Sequence, residues 1–172
     1  MARYLLMLVV AVPWSHAFAQ GSSSAEEAQP RSIALMAGAG STFGGMGALA
    51  EFFVADGRVS MIGGVGYFAG QSDDDPAGVA GSLGARAYVG AERHRGFVEA
   101  AYSQLATDAV RDRESTQIAR LWGPAAQVGY LFTASSGLTG SIGAGVGYAV
   151  QEGVVASRWK PVVSAGVGYT FR

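Results

Sequence analysis

The stretch Pro161–Arg172, PVVSAGVGYTFR, decides the fold. Its odd positions are Val163, Ala165, Val167, Tyr169 and Phe171, and its even positions are Val162, Ser164, Gly166, Gly168 and Thr170. One face is apolar and ends in aromatic rings; the other is small or polar. Successive side chains of a strand point to opposite faces, so a period of two specifies a strand. A helix would need apolar residues three and four apart, and each interior glycine would weaken it by about 1 kcal/mol. Leu138–Val150, LTGSIGAGVGYAV, repeats the pattern, with Leu138, Gly140, Ile142, Ala144, Val146, Tyr148 and Val150 on one side and Thr139, Ser141, Gly143, Gly145 and Gly147 on the other.

Working back towards the N-terminus, the alternation recurs less regularly in Ile33–Ser41, Gly47–Val54, Val59–Phe68, Val79–Val89, Phe97–Ala106 and Leu121–Phe132, making eight segments in all. Strands of about nine to eleven residues span a bilayer. With the N-terminus periplasmic, Ala55–Arg58, Gly90–Arg95 and Thr133–Gly137 become periplasmic turns, and Thr42–Gly45, Ala69–Pro76, Thr107–Arg120 and Gln151–Lys160 become external loops. Short turns on one side and mostly longer loops on the other are the asymmetry of a transmembrane β-barrel.

Composition agrees. Hydrophobic residues make up 49% and charged residues 15% of the chain, against roughly 25% charged in soluble domains. Beyond the N-terminus there is no apolar run of the roughly 18 residues that a transmembrane helix needs. A barrel strand meets lipid only at every second residue, which reconciles the two facts. Glycine is abundant, 26 of 172, without the three-residue period of collagen. Cysteine is absent, which excludes disulfides and thiolate metal sites. The net charge of −1 leaves no electrostatic footprint for nucleic acid.

The first residues read as an export signal. Arg3 supplies a positive start, Tyr4–Val12 a short apolar core, and Ala17-Phe18-Ala19 a small-x-small cleavage site. Residues 1–19 are therefore expected to be removed, leaving Gln20 first. Residues 20–32 follow as a polar periplasmic lead-in, and residues 33–172 as the barrel.

Charge and aromatics sort by depth. Glu51, Arg86 and Glu99 are the mid-strand charges, and the alternation turns all three inward. The leading reading is a structural ion pair in a narrow lumen, with Arg86 between the two carboxylates, and the alternative is a channel-lining proton or ion pathway; a charge on the lipid face would cost about 2–4 kcal/mol for Arg at the midplane. Rings collect near strand ends. Phe52, Tyr130, Phe132, Tyr169 and Phe171 are expected at the periplasmic interface, and Phe43, Tyr67, Trp122, Tyr148 and Trp159 nearer the outside, as the aromatic girdles of a barrel.

Together with the signal peptide and the eight segments, Val163-x-Ala165-x-Val167-x-Tyr169-x-Phe171 resembles the small outer-membrane barrels of the OmpA/OmpX type. The resemblance spans roughly residues 33–172 and implies an all-β, eight-stranded, antiparallel up-and-down barrel in the outer membrane. It also implies that Val163, Ala165, Val167, Tyr169 and Phe171 form the signal read by the barrel assembly machinery, although Phe171 is penultimate here and Arg172 follows. The inward Glu51, Arg86 and Glu99 look like the lumen ion pairs of such barrels.

The resemblance is specific for architecture and not for function, because unrelated activities share a scaffold. The leading expectation is a structural or surface-interaction barrel, monomeric, without cofactor or metal, contacting membrane lipid and lipopolysaccharide. The alternative is a narrow channel for small solutes, since an interior rich in Gly, Ser and Ala could leave water-filled space; in most eight-stranded barrels side chains just fill the interior. A lipid-modifying enzyme would need an activated nucleophile. The single histidine after the signal, His94, lies between Arg93 and Arg95 with no serine beside it. The run Asp73-Asp74-Asp75 lacks the spacing of a calcium loop and reads as solvated, as does Asp108–Glu114. A soluble lipocalin-like barrel would turn its apolar face inward around a ligand.

Overall fold

The computed structural model describes residues 33–68, 77–91, 93–111, 116–150 and 158–171. The expected signal peptide, the lead-in, the loop at 69–76 with its aspartate run, and Arg172 lie outside the described residues. The strands are β1 (Ile33–Gly40), β2 (Gly45–Val54), β3 (Val59–Phe68), β4 (Gly78–Gly90), β5 (His94–Arg111), β6 (Thr116–Thr133), β7 (Leu138–Ala149) and β8 (Arg158–Phe171). Each pairs antiparallel with its sequence neighbours, and β1 pairs antiparallel with β8, so the sheet closes into an eight-stranded up-and-down barrel.

The period of two fixes which side faces out. Leu83, Val128, Val163 and Val167 are each about two-thirds exposed, whereas their inward counterparts Leu49, Ile62 and Leu131 are buried. A lipocalin-like arrangement requires the reverse, so the observed polarity argues against a soluble barrel around an apolar ligand. The inward apolar residues Ala34, Met36, Phe43, Leu49, Phe53, Ile62, Tyr88, Phe97 and Leu131 form one cluster within the lumen.

The end carrying the short turns is tightly closed. Val54 pairs with Val59, and Ala55–Gly57 form a single 3-10 turn in which Ala55, Asp56 and Gly57 all have positive φ. Glycine and aspartate tolerate that region, whereas alanine adopts it only under steric strain. Across the rim the Arg95 guanidinium Nη1 donates to the Gly57 carbonyl at 2.6 Å, tying the β2–β3 turn to β5.

Besides Arg158–Lys160, expected in the last loop and found paired with β7 at the start of β8, the opposite, loop end departs from the sequence reading in two larger stretches. Thr107–Arg120, expected as a loop, is mostly ladder: β5 and β6 are 18 residues each and stay paired from His94↔Phe132 to Arg111↔Thr116. A register shift between Gln104 and Ala106 marks a bulge at Leu105. Residues such as Thr107, Val110, Thr116 and Ile118 suit a pleated backbone, and continued pairing satisfies amides that a loop would leave to water. Asp108–Arg111 of the expected solvated loop thus belong to β5, and the rest of that stretch lies outside the described residues.

The second departure concerns Thr42–Gly45. It is not an external loop: Ser41–Phe43 form a 3-10 turn that folds into the lumen, with Ser41, Thr42 and Phe43 all buried. Phe43, expected at the outer interface, is 1% exposed. The wall opposite is glycine. A Cβ added at Gly38 would lie 2.7 Å from the Phe43 ring, and one at Gly166 would overlap it. A lumen with an empty side-chain layer exposes apolar wall to no partner, and a buried Phe supplies about 1.5–3 kcal/mol of burial.

This packing makes a paired test. Gly166→Val should destabilise the barrel by about 1–3 kcal/mol through overpacking against Phe43, while Gly140→Val, where an added Cβ meets nothing within 4 Å, should leave stability within about 0.5 kcal/mol. Urea unfolding in detergent micelles reads both.

Candidate functional site: a charged, plugged lumen

The site is built where three inward strand positions meet. Glu51 on β2, Arg86 on β4 and Glu99 on β5 are all essentially fully buried. Arg86 and Glu99 are direct cross-strand partners, and Arg86 also pairs across β3 with Ser60. The Arg86 Nε donates to Glu99 Oε2 at 2.8 Å, and its Nη1 donates to Glu51 Oε2 at 3.2 Å. The guanidinium carbon lies 4.4 Å from the centroid of the Phe97 ring, a cation–π contact away from water. The structure therefore brings together the three charges that the sequence places in the lumen.

Their remaining valences are met by residues the sequence reading did not single out. Ser60 and Tyr88 hydroxyls both donate to Glu51 Oε1. On the other side, Thr42 Oγ1 and Gln127 Nε2 donate to Glu99 Oε1 at 2.8 and 3.1 Å. Gln127 Nε2 also reaches Thr42 Oγ1 at 2.9 Å and Ser41 Oγ at 3.1 Å, and its Oε1 accepts from Ser164 at 3.0 Å. Each carboxylate thus accepts three hydrogen bonds, which is what holds an ionised carboxylate away from water. Arg86 Nη2 has no hydrogen-bond partner among the described residues. The available signal was phase: Gln127, Ser60, Tyr88 and Ser164 are polar residues at inward positions of their strands. Thr42 had no such signal, because a turn has no period.

The inward turn is part of this network. Thr42 and Ser41 contact Glu99 and Gln127, and Ser82 Oγ donates to the Thr42 carbonyl. Gly64 and Gly66 face the turn: a Cβ on either would overlap the Thr42 or Phe43 carbonyl. The small interior positions therefore do not leave an open bore here; the turn occupies the space they provide.

Outside the lumen, Phe52, Tyr130, Phe132, Tyr169 and Phe171 stand exposed around the turn end. Tyr169 and Phe171 pack edge-on at 5.0 Å, and His94 packs against Tyr130 and Phe132. The Tyr130 hydroxyl hydrogen-bonds His94 Nδ1. Towards the loop end, Tyr67 is exposed, Trp122 stacks on Tyr102 at 6.1 Å, and Tyr148 meets Trp159 edge-on at 5.1 Å. On β8, Val163, Ala165, Val167, Tyr169 and Phe171 all face outward, and Ala165, Val167, Tyr169 and Phe171 pair with Ala39, Ala37, Leu35 and Ile33 of β1 in the closing ladder.

These features define an eight-stranded, antiparallel up-and-down barrel, apolar outside and closed inside by a charged network and a folded-in turn. Among solved structures, the N-terminal β-barrel domain of Pseudomonas aeruginosa OprF is similar, with a TM-score of 0.59 over 82% of this chain and 98% of that one. Sequence identity is 19%, so the likeness speaks to the fold. No family model matches the chain, and no curated protein sequence does.

Removing one partner of the network should be costly, because it strands buried charge. Arg86→Ala is expected to lose about 3–5 kcal/mol, whereas Arg113→Ala in the β5–β6 connection should stay within about 0.5 kcal/mol. Replacing the set together, Glu51→Gln, Arg86→Met and Glu99→Gln, should recover most of the loss, since no charge is then left unpaired. Equal effects of the two arginine variants in detergent unfolding would overturn the inward charge assignment.

Proposed function

We propose that this chain is an integral outer-membrane β-barrel protein with a structural or surface-interaction role rather than an enzymatic one. One observation carries the reading: the exposed side of the closed barrel is its apolar side, with Leu35, Met61, Leu83, Val98, Val128, Ile142, Val146 and Val163 all outward. Exposed apolar surface of that extent on a soluble protein would be an aggregation hazard, whereas lipid removes the cost. Closure supports the same reading, since it leaves no unpaired sheet edge in hydrocarbon. The rings at the two ends fit the interfacial girdles that flank such a band.

The expected export signal at residues 1–19 and the outward Val163–Phe171 row fit delivery to the outer membrane by the barrel assembly machinery. The barrel would stand there as a monomer among lipid and lipopolysaccharide, its loop end outward. A lumen filled by Phe43 and the Arg86 network argues for a resting state that does not conduct. His94, whose ring partners among the described residues are Tyr130 and Phe132, has neither the serine nor the carboxylate of a hydrolytic triad among them.

The test is refolding of residues 20–172 from urea into detergent or lipid vesicles. A heat-dependent gel shift is expected, together with silence in planar bilayers. Val146→Arg, on the outer face, should destabilise the vesicle-folded form by about 2–4 kcal/mol if it sits near the midplane, and far less in a detergent that thins around it. Steady single-channel currents would favour the narrow-channel alternative, and failure to form a heat-shifted species would remove the membrane assignment.

A further inference from the structure

The turn at Ser41–Phe43 is joined to the wall in an unusual way. It is covalently part of the β1–β2 hairpin, yet the hairpin ladder is complete without it, from Ile33↔Phe52 to Gly40↔Gly45. Flanking it are Gly40, Gly44 and Gly45, all with positive φ, at +118°, +67° and +99°. Non-glycine residues rarely reach those conformations, and glycine at both ends of a three-residue segment gives it pivots on both sides. What holds the segment inside is a small polar set, Glu99 and Gln127 on Thr42, Gln127 on Ser41 and Ser82 on the Thr42 carbonyl, together with the Phe43 ring, which lies against Gly38 and Gly166 and belongs to the lumen's apolar cluster. No strand pairing of the barrel runs through it.

We propose that Ser41–Phe43 is a hinged plug, which swings on Gly40 and Gly44–Gly45 between a docked position in the lumen and an undocked position at the loop end. Its departure cannot be made good by the wall, because Gly38, Gly64, Gly66 and Gly166 have no side chains to fill the space. The undocked barrel therefore carries a water-filled vestibule open to the loop end, with Gln127 and Glu99 at its floor. Undocking takes Phe43 out of the lumen's apolar cluster, and the members that remain, Leu49, Ile62, Phe97 and Leu131 among them, are carried by the strands themselves, so they still block the bore and the vestibule is a pocket and not a through-pore. The latch is Gln127 with Ser82: Ser82 donates to the Thr42 carbonyl, while Gln127 bonds Ser41 and Thr42 and also Glu99, so losing Gln127 removes one of that carboxylate's three hydrogen bonds but neither of its contacts with Arg86.

Because the chain has no cysteine, single engineered thiols report on this directly. Ser41→Cys in the vesicle-folded barrel is labelled with a water-soluble maleimide, against Thr133→Cys, buried at the far end of the lumen, as the measure of whole-barrel opening. Labelling of Ser41→Cys at least tenfold faster than Thr133→Cys is expected, with a further severalfold rise when Ser82→Ala and Gln127→Ala are added. Equal rates at the two thiols, unchanged by the latch substitutions, would overturn the proposal. Hydrogen exchange on the unsubstituted barrel gives a second reading if a variant does not fold: Thr42–Gly44 amides must exchange faster than those of Leu49 and Met36, and equal protection overturns the hinge. The heat-dependent gel shift is scored on every sample, so failure to fold as a barrel is told apart from failure of the plug to move.

Discussion

The antiparallel ladder between the first strand and the last is the contact on which everything else rests. Ile33 to Gly40 of β1 pair with Phe171 to Ser164 of β8, residue by residue, with no shift in register. Without that ladder the sheet has two edges, each a row of unpaired amides and carbonyls, and an open sheet has no inside. With it, the even positions of β8 become lumen and the odd positions become exterior. Two strands that are far apart in sequence must find each other for this to happen, so their contacts form at the expense of a long loop closure. The last strand carries the cleanest alternation in the chain, which pins its register: a slip of one residue would turn Val163, Val167 and Phe171 inward.

Closure in turn creates a packing problem, and the glycines are the answer to it. An eight-stranded barrel has an interior about one side chain wide. Large inward residues at every level would fill it, as Met36, Leu49, Ile62, Phe97 and Leu131 do on the turn-end half. Higher up, Gly38, Gly47, Gly64, Gly66 and Gly166 line the wall, and the chain's own backbone enters instead. The two halves join at Glu99, which accepts from Arg86 below and from Thr42 and Gln127 above. A single carboxylate thus couples the ion pair that spans β2, β4 and β5 to the turn that fills the space above it.

The sequence made the architecture legible because strand alternation is a local property. Eight segments, their outward faces, and the inward direction of Glu51, Arg86 and Glu99 all follow from counting by two, and the structure has them so. What counting by two cannot show is distance across the lumen. That Arg86 touches both carboxylates, or that Gln127 on β6 meets Thr42, depends on barrel stagger, which no single strand encodes. The turn was hidden for a related reason. The run Gly38–Gly47, GAGSTFGGMG, reads as a flexible connection because glycine marks turns, and only the opposing glycines of β3 and β8 reveal that the space for it lies inside. The extent of β5 and β6 was also missed, since the charges of Asp108–Arg111 resemble a solvated loop whether or not the backbone is paired.

The unequal strands have a consequence of their own. β1 is 8 residues long and β5 and β6 are 18 each, so at about 3.4 Å per residue the paired ribbon reaches tens of ångströms further than its opposite wall. Among the described residues, β4 stops pairing with β5 at Ser103, and β7 leaves β6 at Ala125 save for the Trp122–Val150 bridge. The outer part of the ribbon is therefore a mast stepped on one side of the barrel, its backbone held by its own two strands. Foreign sequence grafted at its apex, between Arg111 and Thr116, would be carried clear of the rim while the closing ladder, on the far side, stayed out of reach of the disturbance. The molecule is in that sense divided into a closed barrel and a two-stranded arm, joined at the Leu105 bulge.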